Sequence, residues 1–283
     1  MKPYKNKYSV TRMAKALGIS RSGYYAWEKR NKSRPEEENQ RLADEIRRIF
    51  NEHHGRYGSP RVWAELKERS FCVSRKRVER LMRELGLKAR RKVKWIKTTD
   101  TNHNYQPAEN ILDQDFRAEN PGEKWVSDIT YLHTCCGWLY LTVIIDLWDR
   151  KVIGWSISED LTAKHVCFAL TMAVGNRPPG KDLLFHSDQG VQYCSEEFRN
   201  TLYRHCPSAR QSMSRKGNCW DNACAESFFK TLKSELETLG RRYSKKEVKT
   251  AVFGYIEIYY NRCRRHSALG YAKPVALIPN NAA

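Results

Sequence analysis

The chain has no run approaching the roughly 20 apolar residues that a membrane span needs. Its longest apolar stretch, Leu139 to Leu147, has the length of a strand. No apolar segment follows Met1-Lys2-Pro3-Tyr4-Lys5, so no signal peptide is read at the start. The expected setting is therefore cytoplasmic, with no membrane partner. Nine cysteines are present without one Cys-x-x-Cys pair, and Cys219 and Cys224 are spaced too irregularly for a zinc ribbon. Reduced, mostly buried thiols are expected. Solenoid-period repeats, low-complexity tracts and sustained heptads are also lacking, which excludes a repeat array and a coiled-coil zipper.

What the chain has is positive charge, unevenly spread. Its 283 residues carry 51 Lys+Arg against 32 Asp+Glu, a net +19. Residues 1–97 hold 28 basic and 11 acidic residues, net +17, and residues 98–283 are close to neutral at +2. A basic first third implies a polyanion partner, because Lys and Arg displace counterions from phosphates. A basic surface serving only solubility is the bland alternative.

Val10, Met13, Ala14 and Leu17 fall at helical spacing. Gly18 can end that helix, and Ser20 can cap a second one bearing Arg21, Tyr24, Tyr25, Trp27, Lys29 and Arg30. Helix, glycine turn, helix is the helix-turn-helix pattern, although an ordinary αα-hairpin reads the same way. The first boundary is drawn after residue 34. Residues 35–97 predict three more helices, on Leu42/Ile46/Ile49/Phe50, on Val62/Leu66 and on Val78/Leu81/Met82/Leu85. The last is capped by Ser74, ended by Gly86, and carries Arg75, Lys76, Arg77, Arg80 and Arg83, a density that favours phosphate contact over a merely solvated face. Lys88 to Lys97 reads as a basic linker with Trp95, and residues 98–120 as an exposed connector ending in Asn120-Pro121-Gly122.

From Lys124 the period changes. Trp125–Thr134, Trp138–Leu147 and Lys151–Ser158 predict a three-stranded meander. A helix over Thr162–Asn176, a strand at Leu183–Ser187, a helix over Glu196–His205 and a strand at Arg210–Met213 follow. Long helices are predicted over Asp221–Leu239 and Ser244–Arg262. The order implies an α/β core with a sheet of mixed direction, residues 121–240, followed by a C-terminal helix and basic tail, residues 241–283.

Three acids stand out in this frame. Asp128 interrupts the first strand, Asp188 lies just past Leu183-Leu184-Phe185, and Glu226 opens a helix whose core face is Phe229, Leu232 and Leu236. A carboxylate in or beside a buried strand is costly without a cation. Three oxygen ligands can hold two Mg²⁺ or Mn²⁺ ions about 3.5–4 Å apart. Any one of the three, taken alone, reads as a surface or capping acid. Glu226, Lys230 and Lys233 recur at i, i+4 and i+7, so one helix face offers an acid and two amines. Arg215, Lys216, Lys230 and Lys233 are the DNA-contact candidates near the acids, and Arg262, Arg264, Arg265 and His266 those in the tail. Asp146 reads as a turn or fold-stabilising acid, Asp221 and Asn222 as helix caps, and His186 as a packed neighbour or a contact to DNA or metal.

These residues lie in long blocks: Trp125-Val126-Ser127-Asp128-Ile129-Thr130-Tyr131, His186-Ser187-Asp188-Gln189-Gly190, Ser212 to Asn222, Glu226-Ser227-Phe228-Phe229-Lys230-Thr231-Leu232-Lys233, and Tyr260 to Tyr271. Across nearly the whole chain they resemble the second-frame transposases of the insertion-sequence-three family, within the DDE and retroviral-integrase superfamily. The resemblance implies a ribonuclease-H-like fold with Asp128, Asp188 and Glu226 as its catalytic, metal-binding triad. It also implies helices that bind terminal inverted repeats, a homo-oligomer on DNA joining element ends to target DNA, a first-frame product as partner, and a nucleoid-associated setting in bacteria. The His₂Cys₂ zinc module of retroviral integrases is not spaced here. The gap between Asp188 and Glu226 is 37 residues where the family usually has 35, and the surplus is read around Cys206 to Arg210. Two other readings stay open at this point: a catalytically inert DNA-binding regulator, and a ribonuclease-H-type RNA nuclease, which leaves the helix-turn-helix unexplained.

Overall fold

A computed structural model describes residues 1–29, 33–89 and 107–277. The proposed contact Arg30, nearly all of the basic linker Lys88–Lys97 and the first part of the connector lie outside these residues. Contacts divide the chain into two compact units, Met1–Lys88 and Ala89–Ala283.

The first unit is helical. Helices α1 (Val10–Ala16) and α2 (Arg21–Lys29) are joined through Gly18, whose φ of +64° gives the left-handed turn that glycine adopts at least cost. Ser20 Oγ accepts from the Gly23 amide at 3.0 Å and so caps α2. Helices α3 (Arg34–Glu52), α4 (Ser59–Glu68) and α5 (Arg75–Glu84) bury Leu42, Ile46, Ile49, Val62, Leu66, Val78, Leu81 and Met82, the apolar stripes expected from their spacing. Ser33 and Glu36 form a capping box on α3, and Ser74 accepts from the Arg77 amide on α5.

The second unit is built on β1 (Lys124–Thr134), β2 (Gly137–Asp146), β3 (Val152–Ser158), β4 (Leu184–Ser187) and β5 (Arg210–Met213). The sheet order is β3-β2-β1-β4-β5; β1–β2 and β2–β3 are antiparallel, and β1–β4 and β4–β5 are parallel. Helices α6 (Ala163–Asn176), α7 (Val191–Cys194) and α8 (Glu196–His205) cover one face over Trp125, Ile144, Ile153 and Phe185. Helices α9 (Ala223–Glu235) and α10 (Lys245–Phe253) cover the other over Val126, Leu132, Val143 and Ile145. Residues two apart on a strand share a face, so the apolar alternation of β1 sorts its side chains between two cores.

Gly154 of β3 sits hard against α6. A Cβ there would lie 2.1 Å from the Ala169 carbonyl oxygen and 2.7 Å from the Ala173 methyl. Gly154→Ala must push α6 off the sheet, and a loss of about 1–3 kcal/mol is expected in urea unfolding. Unchanged stability would mean that helix and sheet are not in this contact.

Several expectations are corrected. The described part of the connector, residues 107–120, is not an exposed strap. Leu112 is 2% exposed and joins the core, the Met213 amide donates to the Glu109 carbonyl, and Ser212 Oγ accepts from the amides of Ile111 and Leu112. The segment therefore closes the β5 edge, which would otherwise offer unpaired backbone groups. Helix α9 is shorter than expected at both ends: Cys219–Asn222 is a 3₁₀ turn and the helix stops at Glu235. The final long helix is broken too, since α10 passes into a π-helical turn at Gly254–Tyr260. The eight described cysteines are free, but only Cys194 and Cys206 are buried.

Candidate active site

Asp128 stands fifth in β1, facing the α9 side between Val126 and Thr130, where an apolar residue would continue the pattern. Strand β4 runs parallel to β1 with Val126 opposite His186. Carried two residues on, that register sets Asp188 beside Asp128, on strands about 4.8 Å apart. The end of the short β4 thus falls against the middle of the long β1. Asp128 Oδ1 accepts from the Ile129 amide at 2.8 Å, and Asp188 Oδ1 from the Gly190 amide at 3.0 Å. Glu226 enters from α9, one turn past Asn222. Asn222 Nδ2 donates to the Ser127 carbonyl at 2.9 Å, which moors the start of α9 to β1 next to Asp128.

The electrostatics report the convergence. The Asp128 carboxyl is pushed well above the usual carboxylate range, first by desolvation, then by the charge of Asp188, with Glu226 adding to it. Lys233, half-buried on α9, pulls the other way; desolvation lowers its own ammonium and the charge of Asp128 raises it. Behind the acids the Tyr193 hydroxyl is held 2.7 Å from Ser127 Oγ, whose proton goes to the Val143 carbonyl at 2.9 Å. Burial and then the two aspartates push the Tyr193 phenol far up, so it stays protonated.

The donors are carboxylate oxygens, the set that suits a hard divalent cation. Asp128 carries the electrostatic signature of an acid that a cation would relieve. As the side chains stand, no three His, Cys, Asp or Glu among the described residues converge on one ion position. Glu226 stands on the first turn of α9, and its charge reaches Asp128. The surplus in the Asp188–Glu226 gap, read around Cys206 to Arg210, falls at the start of β5. Cys206–Ala209 forms a turn between α8 and β5, and Arg210, where β5 begins, pairs with Leu184 at the start of β4, the end of the sheet away from Asp188.

The other residues singled out in the sequence divide into exposed and committed groups. Arg21, Arg75, Lys76, Arg80, Lys216 and Lys230 are exposed. Arg77 is half-buried and donates to Asn39 Oδ1 on α3 at 2.7 and 3.0 Å. Arg215 grips Asp221, from Nε at 2.9 Å and from a terminal nitrogen at 2.9 Å. Arg264 is 4% exposed and donates to both Glu235 oxygens, the shortest contact being 2.7 Å; Arg265 is also buried and donates to the Tyr271 carbonyl. Arg264 and Arg265 are thus withdrawn from phosphate contact, because their guanidinium groups serve the core. His186 is buried between Ser212 Oγ at 2.8 Å and Ser214 Oγ at 3.1 Å, and desolvation lowers it to about 4, so it is a neutral packed residue. Asp146 stabilises the fold, accepting from the Gly122 amide and Arg177 at 2.8 Å each.

Asp221 and Asn222 do more than cap. Asp221, fully buried, collects Arg215, Gln114 Nε2 and Asn218 Nδ2; Arg215 first, then Gln114, hold its carboxyl well below the usual range against the cost of burial. The signal available in the sequence was the run Asn218-Cys219-Trp220-Asp221-Asn222 itself, too polar to be only a helix start.

Residues 37–95 match the HTH-like domain family, and residues 118–219 and 208–274 match the integrase core domain. The HTH-like match falls on α3–α5, one segment later than the helix pair at Ser9–Trp27. The chain is 41% identical over 270 residues to transposase InsF for insertion sequence IS3A of Escherichia coli (strain K12), covering 95% of this chain and 93% of that protein. It is 40% identical over 264 residues to the insertion element IS600 uncharacterized 31 kDa protein of Shigella sonnei, covering 93% and 96%. Among solved structures it is similar to a chain of the simian T-cell lymphotropic virus intasome in complex with PP2A regulatory subunit B56 gamma, at 13% identity and TM-score 0.45 over 84% of this chain and 76% of that one. It is also similar to the HTLV-2 integrase catalytic core domain in complex with magnesium, at 16% identity and TM-score 0.39 over 56% of this chain and 97% of that one. The fold class is the expected one: an α/β, ribonuclease-H-like integrase core preceded by an all-α region with an HTH-like domain. Among the described residues, no helix is long and apolar enough to cross a membrane.

Proposed function

We propose that this chain, which belongs to the IS3 family of insertion-sequence transposases, nicks DNA at element ends and joins the freed 3′ ends to target DNA with Asp128, Asp188 and Glu226 as its catalytic carboxylates. The observation that carries this reading is the raised Asp128 carboxyl, on which the charge of Asp188, just past the end of β4, and then that of Glu226 both act. The three acids would hold Mg²⁺ or Mn²⁺, two ions in all. Bound there, such cations would lower the pKa of the attacking hydroxyl and take up charge on the leaving oxygen. The chain's own residues supply position. The register of β4 on β1 brings the end of β4 beside β1, the Asn222–Ser127 bond moors the start of α9, and the exposed Lys216 and Lys230 would meet the phosphates.

In the helical unit, Arg75, Lys76 and Arg80 line the exposed side of α5, and Arg21 that of α2. This surface is read as the one that binds the terminal inverted repeats. Two ends have to meet for joining, so a homo-oligomer on DNA is expected, together with the first-frame product as partner. Lys76→Ala should reduce the slope of log K against log salt by about 1 in a DNA-binding titration and weaken all sequences alike. An unchanged slope would remove α5 from the phosphate-contacting surface.

The direct test is a strand-transfer assay with Mg²⁺, on oligonucleotides bearing the inverted repeats that flank the gene, using this chain and its fusion to the first-frame product. Nicking followed by joining is expected. DNA binding with neither step, by either protein, would overturn the proposal in favour of an inert regulator.

A further inference from the structure

Trp220 is 70% exposed, while Asp221 and Asn222, which follow it, are buried in the protein. Asp221 is fully buried under Arg215, Gln114 and Asn218, and Asn222 is buried and bonded to Ser127. Asn218 Oδ1 accepts from the Trp220 amide itself at 3.1 Å. Tryptophan is the side chain with most to gain from burial, yet here the backbone is held so that the indole stands in water. The 3₁₀ turn that presents it runs directly into α9, two residues before the Asn222 anchor beside Asp128 and six before Glu226. Its exposed neighbours are Arg215 and Lys216, with Gly217 between them and Asn218 at φ +77°. An exposed aromatic side chain on an anchored turn, four residues after Lys216 and six before Glu226, has the make-up of a base-stacking platform.

We infer that Trp220 stacks on an unpaired base of the DNA strand next to the phosphate at the carboxylates, holding the duplex end open for cleavage. The inference rests on the proposed function for the identity of the substrate. Within it, Trp220 is a positioning residue: it touches a base beside the reacting phosphate and none of the reacting atoms. Lys216 would hold the strand's backbone while Trp220 holds the base. Stacking on an aromatic face is tolerant of sequence, so no particular base is required.

The test is a binding measurement without turnover. A 30-base-pair duplex is compared with the same duplex carrying two mismatched, unpaired terminal bases, in Ca²⁺, by fluorescence anisotropy. The duplex shared by the two probes cancels, so the ratio of affinities isolates the unpaired bases. The wild-type chain should prefer the frayed end by about tenfold, Trp220→Phe should keep most of that preference, and Trp220→Ala should lose it while binding the paired duplex within about twofold of wild type. An equal preference in Trp220→Ala, or none in the wild type, would overturn the inference. So would a change in oligomeric state on Trp220→Ala in the absence of DNA, which would place the indole in a protein interface. Because the assay needs no cleavage, a chain that prefers frayed ends but never nicks DNA would overturn the catalytic reading and leave Trp220 in place.

Discussion

Asp128→Asn abolishes Mg²⁺-dependent nicking and joining, by on the order of 10³-fold or more, and leaves the metal-free fold at least as stable as before. The first part follows from removing one of the three carboxylates proposed to hold the cations. The second follows from electrostatics. The Asp128 carboxyl is raised because folding strips it of water and sets it beside Asp188 and Glu226. A carboxyl that is easier to protonate in the folded chain contributes most below its unfolded pKa of about 3.9, and that contribution is lost as pH rises through the raised folded value. At neutral pH the folded chain therefore carries a repulsion that the amide lacks. Thermal melts in EDTA at pH 5 and pH 7 should show the wild type losing stability relative to Asp128→Asn as pH rises. Mg²⁺ at pH 7 should raise the melting temperature of the wild type by binding the native state, and that of the variant far less. A variant that nicks at the wild-type rate, or that melts well below it in EDTA, would contradict the assignment.

Glu235→Ala costs about 3–5 kcal/mol of unfolding free energy. Glu235 accepts from Arg264 through both oxygens and from the Tyr255 hydroxyl at 2.8 Å, and Arg264 also lies over the Tyr260 ring. Truncating the acid leaves a buried guanidinium with its charge uncompensated where α9 ends. Arg264→Met should destabilise by a similar route, removing the guanidinium that faces both Glu235 oxygens. Urea denaturation measures both. Near-neutral values for the two would mean that the pair is solvated and that Arg264 is available to phosphates after all.

The contrast between these two clusters shows what the sequence can and cannot reveal. Period-two patterning located β1, β2 and β3, and helical spacing located α3, α4, α5, α6 and α8, because each of these buries a repeating face of its own. Asp128 was visible as a break in such a face. Its partnership with Asp188 is a matter of register between strands 60 residues apart, which no local pattern encodes; there the family resemblance supplied what periodicity lacked. Arg264 and Glu235 are 29 residues apart, and an arginine-rich tail looks solvated until its partner is seen. Residues 107–120 are polar enough to read as linker, yet one leucine and a few backbone hydrogen bonds suffice to lay them along β5. The Arg215–Asp221 clamp escaped for the same reason, since a capping acid and a DNA-contacting arginine are the locally sensible readings of those two residues.

If Asp128, Asp188 and Glu226 share one divalent-cation site on the α9 face of the sheet, a metal bound there reports on all three at once. Replacing Mg²⁺ by Fe²⁺ and adding ascorbate and peroxide generates hydroxyl radicals at a bound metal, which cut the backbone close by. Mapping the fragments should find cuts beside residues 128, 188 and 226, all suppressed by excess Mg²⁺ and all lost together in Asp128→Asn. Cuts at 128 and 188 that leave the start of α9 intact, or cuts that persist in the variant, would contradict the claim.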